Sequence, residues 1–510
     1  LFERIIPVLF LLMLIPFTIF PLKIFLNGNF YSEFSSRWLT ENSYSIPIFI
    51  DGKFRISRGV SLLEISPLMY YVDSIVISNG EDELKLVKDG LENELRNIFI
   101  VESNGKWWIM MDGKFLLENP EKIFIEGEAI EGGELEIWLD WEGVDYLKEE
   151  IKRFEELHEN VKIKSVFVPK TSGKLLTVYR GRGKIPDIVM VQADQIYRLK
   201  SFRLIQNLDY IFSTMKDSFI DKAGQAFELD GKIWAIPFYL DTQLVFYNPD
   251  LFEKYDVPLP NEDWTLDNLV EIARKFKESG FTGVGWNAYS VYWFIPFQIG
   301  FGKEKLVEDG RMDIVDDPTI SALEFINDLR KSKLLCVLER DAMISKFVDG
   351  KLAMILSGSF MVPEFMRLNL NFKVAHYPFN SKTGKYVSPL LDFKGFAITR
   401  KTKNPVLARR LIEHLTGIGV QSRFCEKIHK LPVERHVFEM LKEKDEMFRM
   451  AFRSVEIGTL IPTEPVYRIY KSTMWNLLRL VFTDKLDPRS ALIKGQRIID
   501  ANLEDKIRGR

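Results

Sequence analysis

The stretch Gly231–Pro260, GKIWAIPFYLDTQLVFYNPDLFEKYDVPLP, constrains the chain more than any other. Gly231-Lys232 is a turn, and apolar residues alternate from there through Ile233, Ala235 and Pro237. A second β-type run follows in Leu244, Val245, Phe246 and Tyr247. Asn248-Pro249-Asp250 stops it, because the residue ahead of a proline is pushed out of the helical region. The pattern predicts a short helix over Leu251–Tyr255, ended by Val257-Pro258-Leu259-Pro260. Trp264-Thr265-Leu266-Asp267 then opens a longer amphipathic helix, with Leu269, Ile272, Ala273 and Phe276 on one face.

A chain of 510 residues has room for roughly two to four domains. With 46% hydrophobic and 28% charged residues it is a folding composition, not a disordered one. Its net charge of -3 points away from nucleic acid. Two cysteines, Cys336 and Cys425, cannot build a disulfide framework, and their apolar helical contexts favour two buried thiols over a bridge. No Cys/His spacing suits a metal, and no phosphate-binding or nucleophile-elbow motif occurs, so no cofactor is expected.

Ile5–Leu26 carries a single charge, Lys23, and is long enough to cross a bilayer as a helix. No small-residue cleavage site and no nearby cysteine follow it, so residues 1–29 read as an uncleaved signal-anchor. Residues 30–133 show short β-like runs at Ile46–Ile50, Ser74–Ser78, Leu84–Val87, Asn97–Val101, Lys106–Met111 and Lys122–Glu126. Turn pairs such as Asn79-Gly80, Asn104-Gly105 and Asp112-Gly113 separate them, which predicts a small β-rich domain with a hairpin at Asn104-Gly105. The Trp107-Trp108 pair offers a sugar platform, but neighbouring positions in a strand put one ring in a core, and the structural role is preferred.

At Gly132-Gly133 the pattern changes to β-α-β. Glu134–Leu139 is an apolar strand, Asp140-Trp141-Glu142-Gly143 a polar turn, Tyr146–Leu157 a helix and Val161–Val168 the next strand. Further on come Lys184-Ile185-Pro186-Asp187-Ile188, Phe347–Pro363 (FVDGKLAMILSGSFMVP), Ala375–Pro378 (AHYP), and Gly395–Lys401 followed by Asn404–Leu415. Taken with Gly231, Lys232, Pro237, Asp241, Tyr247, Asn248, Asp250, Leu251, Phe252, Trp264 and Leu266, these passages resemble the extracellular solute-binding proteins of ABC importers. The likeness is to their sugar-binding branch, which includes maltodextrin-binding protein, and it covers about Glu134 to Arg510.

The resemblance implies an α/β two-lobe periplasmic-binding-protein (type II) fold over 134–510; the anchor and the β-rich domain that precede it lie outside the resemblance. One lobe would take 134–242 and about 392–444, the other 243–391 and about 445–510. It implies a non-enzymatic, extracytoplasmic protein that captures a carbohydrate between closing lobes and delivers it to importer membrane subunits, and the signal-anchor would tether it to the membrane. Ring faces need aromatic planes and hydroxyls need carboxylates or amides. The positions matching the family's contacts are Asp140, Trp141, Glu142, Gln192, Asp194, Asp241, Tyr292, Trp293, Phe360, Asp392 and Tyr467. Where maltodextrin binders carry aromatic rings, this chain has Val191 and Lys471, which is compatible with a carbohydrate site but counts against maltodextrin itself. Two rivals remain: a carbohydrate sensor on the same fold, and a glycan-cleaving enzyme that uses paired carboxylates such as Asp140 and Glu142.

Overall fold

The structure is a computed structural model that describes residues 21–50, 53–88, 90–130 and 132–508. The described residues up to Gly133, with Arg153–Val161, make one compact unit; Glu134–Lys152 with 162–508 make the other.

The first unit holds two five-stranded sheets. In one, Leu22–Leu26 lies between Asn29–Phe34 and Lys122–Ala129, and Met69–Ser78 and Glu83–Leu86 complete the sheet. In the other, Tyr44–Ile50, Lys53–Ser61, Ile98–Ser103, Lys106–Met111 and Lys114–Glu118 pair in chain order. Alternation supplies the core: Ile24, Ile75, Ile77, Ile98, Ile100, Ile109, Ile123 and Ile125 are fully buried. Asn104-Gly105 adopts left-handed φ at both residues, which matches hairpin turn to strand twist and joins the expected strand pair. Trp107 is buried in this core, while its neighbour Trp108 packs on Phe115 at 5.3 Å.

The expected membrane span is corrected here. Leu22–Leu26, its last five residues, are a strand paired in parallel with Lys122–Ala129 and turned by Asn27-Gly28 into Asn29–Phe34. β-Branched and aromatic residues around Lys23 suit a half-buried sheet position, which a length-and-hydropathy reading does not separate from a span. The rest of that expectation, Ile5–Phe20, lies outside the described residues. Among those described, no helix is long and apolar enough to cross a membrane.

The second unit is built on one extended sheet, and its central feature is the long strand Ile236–Tyr247, buried at every residue. Its first half pairs antiparallel with Leu390–Ile398, bringing Asp241 opposite Asp392 and Thr242 opposite Leu391. From Gln243 onward its partner becomes Met354–Gly358. The change of partner at Thr242/Gln243 divides two lobes. On one side are Gly133–Leu139, Ile188–Gln192 and the Val161–Phe167 edge; on the other, Val284–Trp286 and Leu335–Val337.

Local chemistry explains the flanking elements. Asn248 accepts from the backbone N–H of Asp250 and Leu251 and caps the helix Pro249–Lys254, with proline at its first position. Thr265 and Asn268 form a capping box on Leu266–Glu278, whose Leu269, Ile272, Ala273 and Phe276 are buried together. Both cysteines are free thiols: Cys425 is buried and Cys336 partly so.

Candidate ligand-binding site

The switch of strand partner concentrates charge at its centre. Asp241 and Asp392 face each other across an antiparallel pair, where like charges repel. Lys394 resolves the conflict. It sits two residues after Asp392, on the same face of the strand, and its Nζ lies 3.0 Å from Asp241 Oδ2 and 2.9 Å from Asp392 Oδ2. Lys430 Nζ adds a second cation, 2.9 Å from Asp241 Oδ1, and reaches Glu142 at 3.3 Å. The Ser359 hydroxyl donates to Asp241 Oδ1 and accepts the Thr242 backbone N–H.

Burial works against ionisation of Asp241, but Lys394 and then Lys430 outweigh it and hold the carboxyl well below the usual range. Asp392 has only one of those lysines, and burial pushes its pKa up. Burial opposes the Lys394 ammonium too, and the two aspartates still raise its pKa. Gln192 Nε2 donates to Asp392 Oδ1 at 2.7 Å, so a continuous polar chain links the edge of one lobe to the hinge. The hydroxyls of Tyr239 and Tyr292 are buried beside it without a hydrogen-bond partner among the described residues.

Beside this cluster lies a cleft of about 770 Å³. One wall comes from the first lobe, with Gln192, Asp194, Tyr197 and Phe202; the other comes from the helix Pro465–Phe482, with Tyr467 and Trp475. Aromatic residues and hydrogen-bonding groups therefore line one concave surface, the combination a saccharide site uses.

Of the residues expected from sequence, Gln192, Asp194 and Tyr467 line this cleft. Asp392 stands one hydrogen bond behind it, on Gln192. Asp140 and Asp241 are committed to the protein. Asp140 accepts from the Trp141 N–H at 2.8 Å and from both the N–H and the hydroxyl of Thr171 at 3.0 Å, which pins its turn to the start of the helix Thr171–Arg180. Trp141 follows at a left-handed φ of 63°, half-buried, and Glu142 points to Lys430. Trp293 is buried and meets Tyr292 edge-on at 4.9 Å. The Arg340 guanidinium covers the Phe360 ring at 5.4 Å.

Sequence reading missed Lys394, Lys430, Phe202 and Trp475. Lys394 had a signal, an Asp-x-Lys spacing in a strand opposite Asp241. The others are brought in by tertiary contacts that no local pattern announces.

The geometry matches known proteins. The family profile for bacterial extracellular solute-binding proteins matches residues 149–447. The galactooligosaccharide-binding protein of Bacillus subtilis is 22% identical over 405 residues, 77% of this chain and 94% of the relative. Among solved structures, the maltose/maltodextrin-binding domain of Bdellovibrio bacteriovorus bound to maltotriose superposes with a TM-score of 0.62 at 21% identity, covering 73% of this chain and all of that one. The GacH receptor of Streptomyces glaucescens, solved unliganded and with acarbose, gives 0.65 at 21% identity, with 74% and 99% covered. These likenesses establish the two-lobe fold of the second unit.

Proposed function

The chain belongs to the bacterial extracellular solute-binding proteins, a family of binding proteins and not of enzymes, and from that premise we propose that it captures an oligosaccharide between its lobes for an ABC importer. The observation that carries this reading is the cleft itself, whose lining sets the aromatic residues Tyr197, Phe202, Tyr467 and Trp475 beside the polar Gln192 and Asp194. The ligands of the relatives, galactooligosaccharide and maltotriose among them, support the same class.

The test is a thermal-shift screen of the whole chain against oligosaccharides, amino acids and peptides. A ligand present at about 100 times its Kd adds on the order of 2.7 kcal/mol to the folded state, a readily measured rise in Tm. The expected result is a shift with at least one oligosaccharide. Shifts with amino acids or peptides alone would overturn the reading.

Tethering to the membrane belongs to the same proposal in a narrower form. With Leu22–Leu26 in a sheet, the segment expected to span keeps only the uncharged run Ile5–Phe20, shorter than the usual span of about 20 residues. A tether would hold the lobes near the importer at an effective concentration set by reach. Recovery of the native protein in the soluble envelope fraction, with residues 1–20 absent from its intact mass, would remove the tether.

A further inference from the structure

The cations in the cleft outnumber the carboxylates that answer them. Arg180 ends the helix Thr171–Arg180, Arg198 lies on Ile196–Ser201 and Arg468 on Pro465–Phe482, so three guanidinium groups reach one cavity from both lobes. Lys471, a fourth cation on the wall, has Asp194 at 3.6 Å. Glu464 is the other carboxylate of the lining. Among the described residues, neither carboxylate lies within ion-pair distance of the three arginines. Arg180 rests instead on the Phe202 ring at 4.9 Å, a contact that orients its donors without neutralising it. Burial, then the charges of Arg468 and Arg180, lower the pKa of Arg198. The cleft thus gathers three guanidinium groups, none of which has a carboxylate within ion-pair distance among the described residues.

We propose that the saccharide taken by this cleft is anionic, an oligosaccharide whose carboxylate or sulfate-ester groups pair with Arg180, Arg198 and Arg468. This rests on the carbohydrate reading above and deepens it. A guanidinium presents a planar fork of donors that matches two oxygens of a carboxylate or sulfate, and an ion held by it relieves the repulsion between neighbouring arginines. Neutral hydroxyls relieve none of it. Arg180 and Arg468 are exposed and Arg198 is half-buried, so salt screens part of their repulsion, and it is their convergence on one cavity that suits a shared anion. These three line the same cavity as the aromatic residues, so a single sugar chain in the cleft meets both.

Isothermal titration of the whole chain with trigalacturonate, sulfated maltotriose and maltotriose, each at low and high salt, tests this. At least one anion is expected to bind about tenfold or more tightly than maltotriose, with an advantage that shrinks as salt rises. R198Q and, separately, R468Q should each cut the anion's affinity by about ten- to a hundredfold, the loss of a hydrogen bond to a charged group, while keeping the parent Tm. Preference for trigalacturonate assigns the charge to carboxylates, and preference for sulfated maltotriose assigns it to sulfate esters. Maltotriose binding as tightly as both anions would overturn the anionic assignment and leave the carbohydrate reading intact. Failure of all three sugars, with a peptide or amino acid binding, would overturn both. An anion advantage undiminished in both variants would also overturn the role given to the arginines.

Discussion

Asp241 carries the most at the scale of single residues, because it is buried beneath two lysines and a serine that have no other carboxylate in common. Removing it leaves Lys394 and Lys430 as buried, under-compensated charges, a change that typically costs about 3–5 kcal/mol. Asp241→Asn should therefore lower the Tm of the unliganded protein sharply, whereas Asp392→Asn, at a carboxyl that burial already pushes toward its neutral form, should lower it much less. Thermal melts of the two variants at pH 7 check the order. The sign of the pH effect follows from the direction of the Asp241 shift. Its folded pKa lies below the unfolded value of about 3.8, so its contribution is complete above about pH 4 and is lost as pH falls through the folded value. Lys394, shifted up, keeps its contribution below about pH 10.5 and loses it only at higher pH. Acid melts should show the parent protein losing stability below about pH 4 and Asp241→Asn losing less over the same range. Parallel curves for the two proteins would remove Asp241 from the acid response.

Among the elements, the paired hinge strands leave little space at one position. A Cβ added at Gly395 would come within 2.5 Å of the Ile236 carbonyl oxygen and 2.9 Å of the Phe227 ring, and the oxygen is backbone that cannot step aside. Gly395→Ala should destabilise the protein by about 1–3 kcal/mol, the usual range for overpacking, as read from denaturant midpoints. This glycine belongs to one of the passages that made the chain's class legible, and the close approach of the two strands is the physical reason it is there. The helix Leu266–Glu278 and the Asn104-Gly105 hairpin were legible for similar reasons, since caps and turn residues act within a few positions. The strands Leu22–Leu26 and Asn29–Phe34 were not. An apolar strand beside an apolar upstream run carries no periodicity of its own, and its partner, Lys122–Ala129, lies about a hundred residues away. The site divides along the same line. Gln192 and Asp194 follow closely on the Lys184–Ile188 passage that the sequence shares with the family, whereas Lys430 reaches Asp241 across 189 positions through the folding of the lobe.

For the molecule as a whole, a ligand that fills the cleft must touch both lobes, because Phe202 and Gln192 belong to one wall and Tyr467 and Trp475 to the other. Trp475 makes that event observable. It is 41% exposed and is the one tryptophan of the cleft lining among the described residues; Trp107, Trp138, Trp264, Trp286 and Trp293 are buried, and the half-buried Trp38, Trp108, Trp141 and Trp234 lie outside that lining. A saccharide stacked in the cleft covers the indole and excludes water from it, and closure of the opposite wall shields it further. Saturating ligand should therefore shift tryptophan emission to the blue and protect it from acrylamide quenching, with most of both effects lost in Trp475→Phe. That variant should also bind more weakly, by about 1–2 kcal/mol, because phenylalanine keeps an apolar face but offers a smaller area to stack on. If Trp475→Phe retained the full blue shift and protection, the ligand would be closing on some other surface, and the wall formed by Pro465–Phe482 would not be part of the binding site.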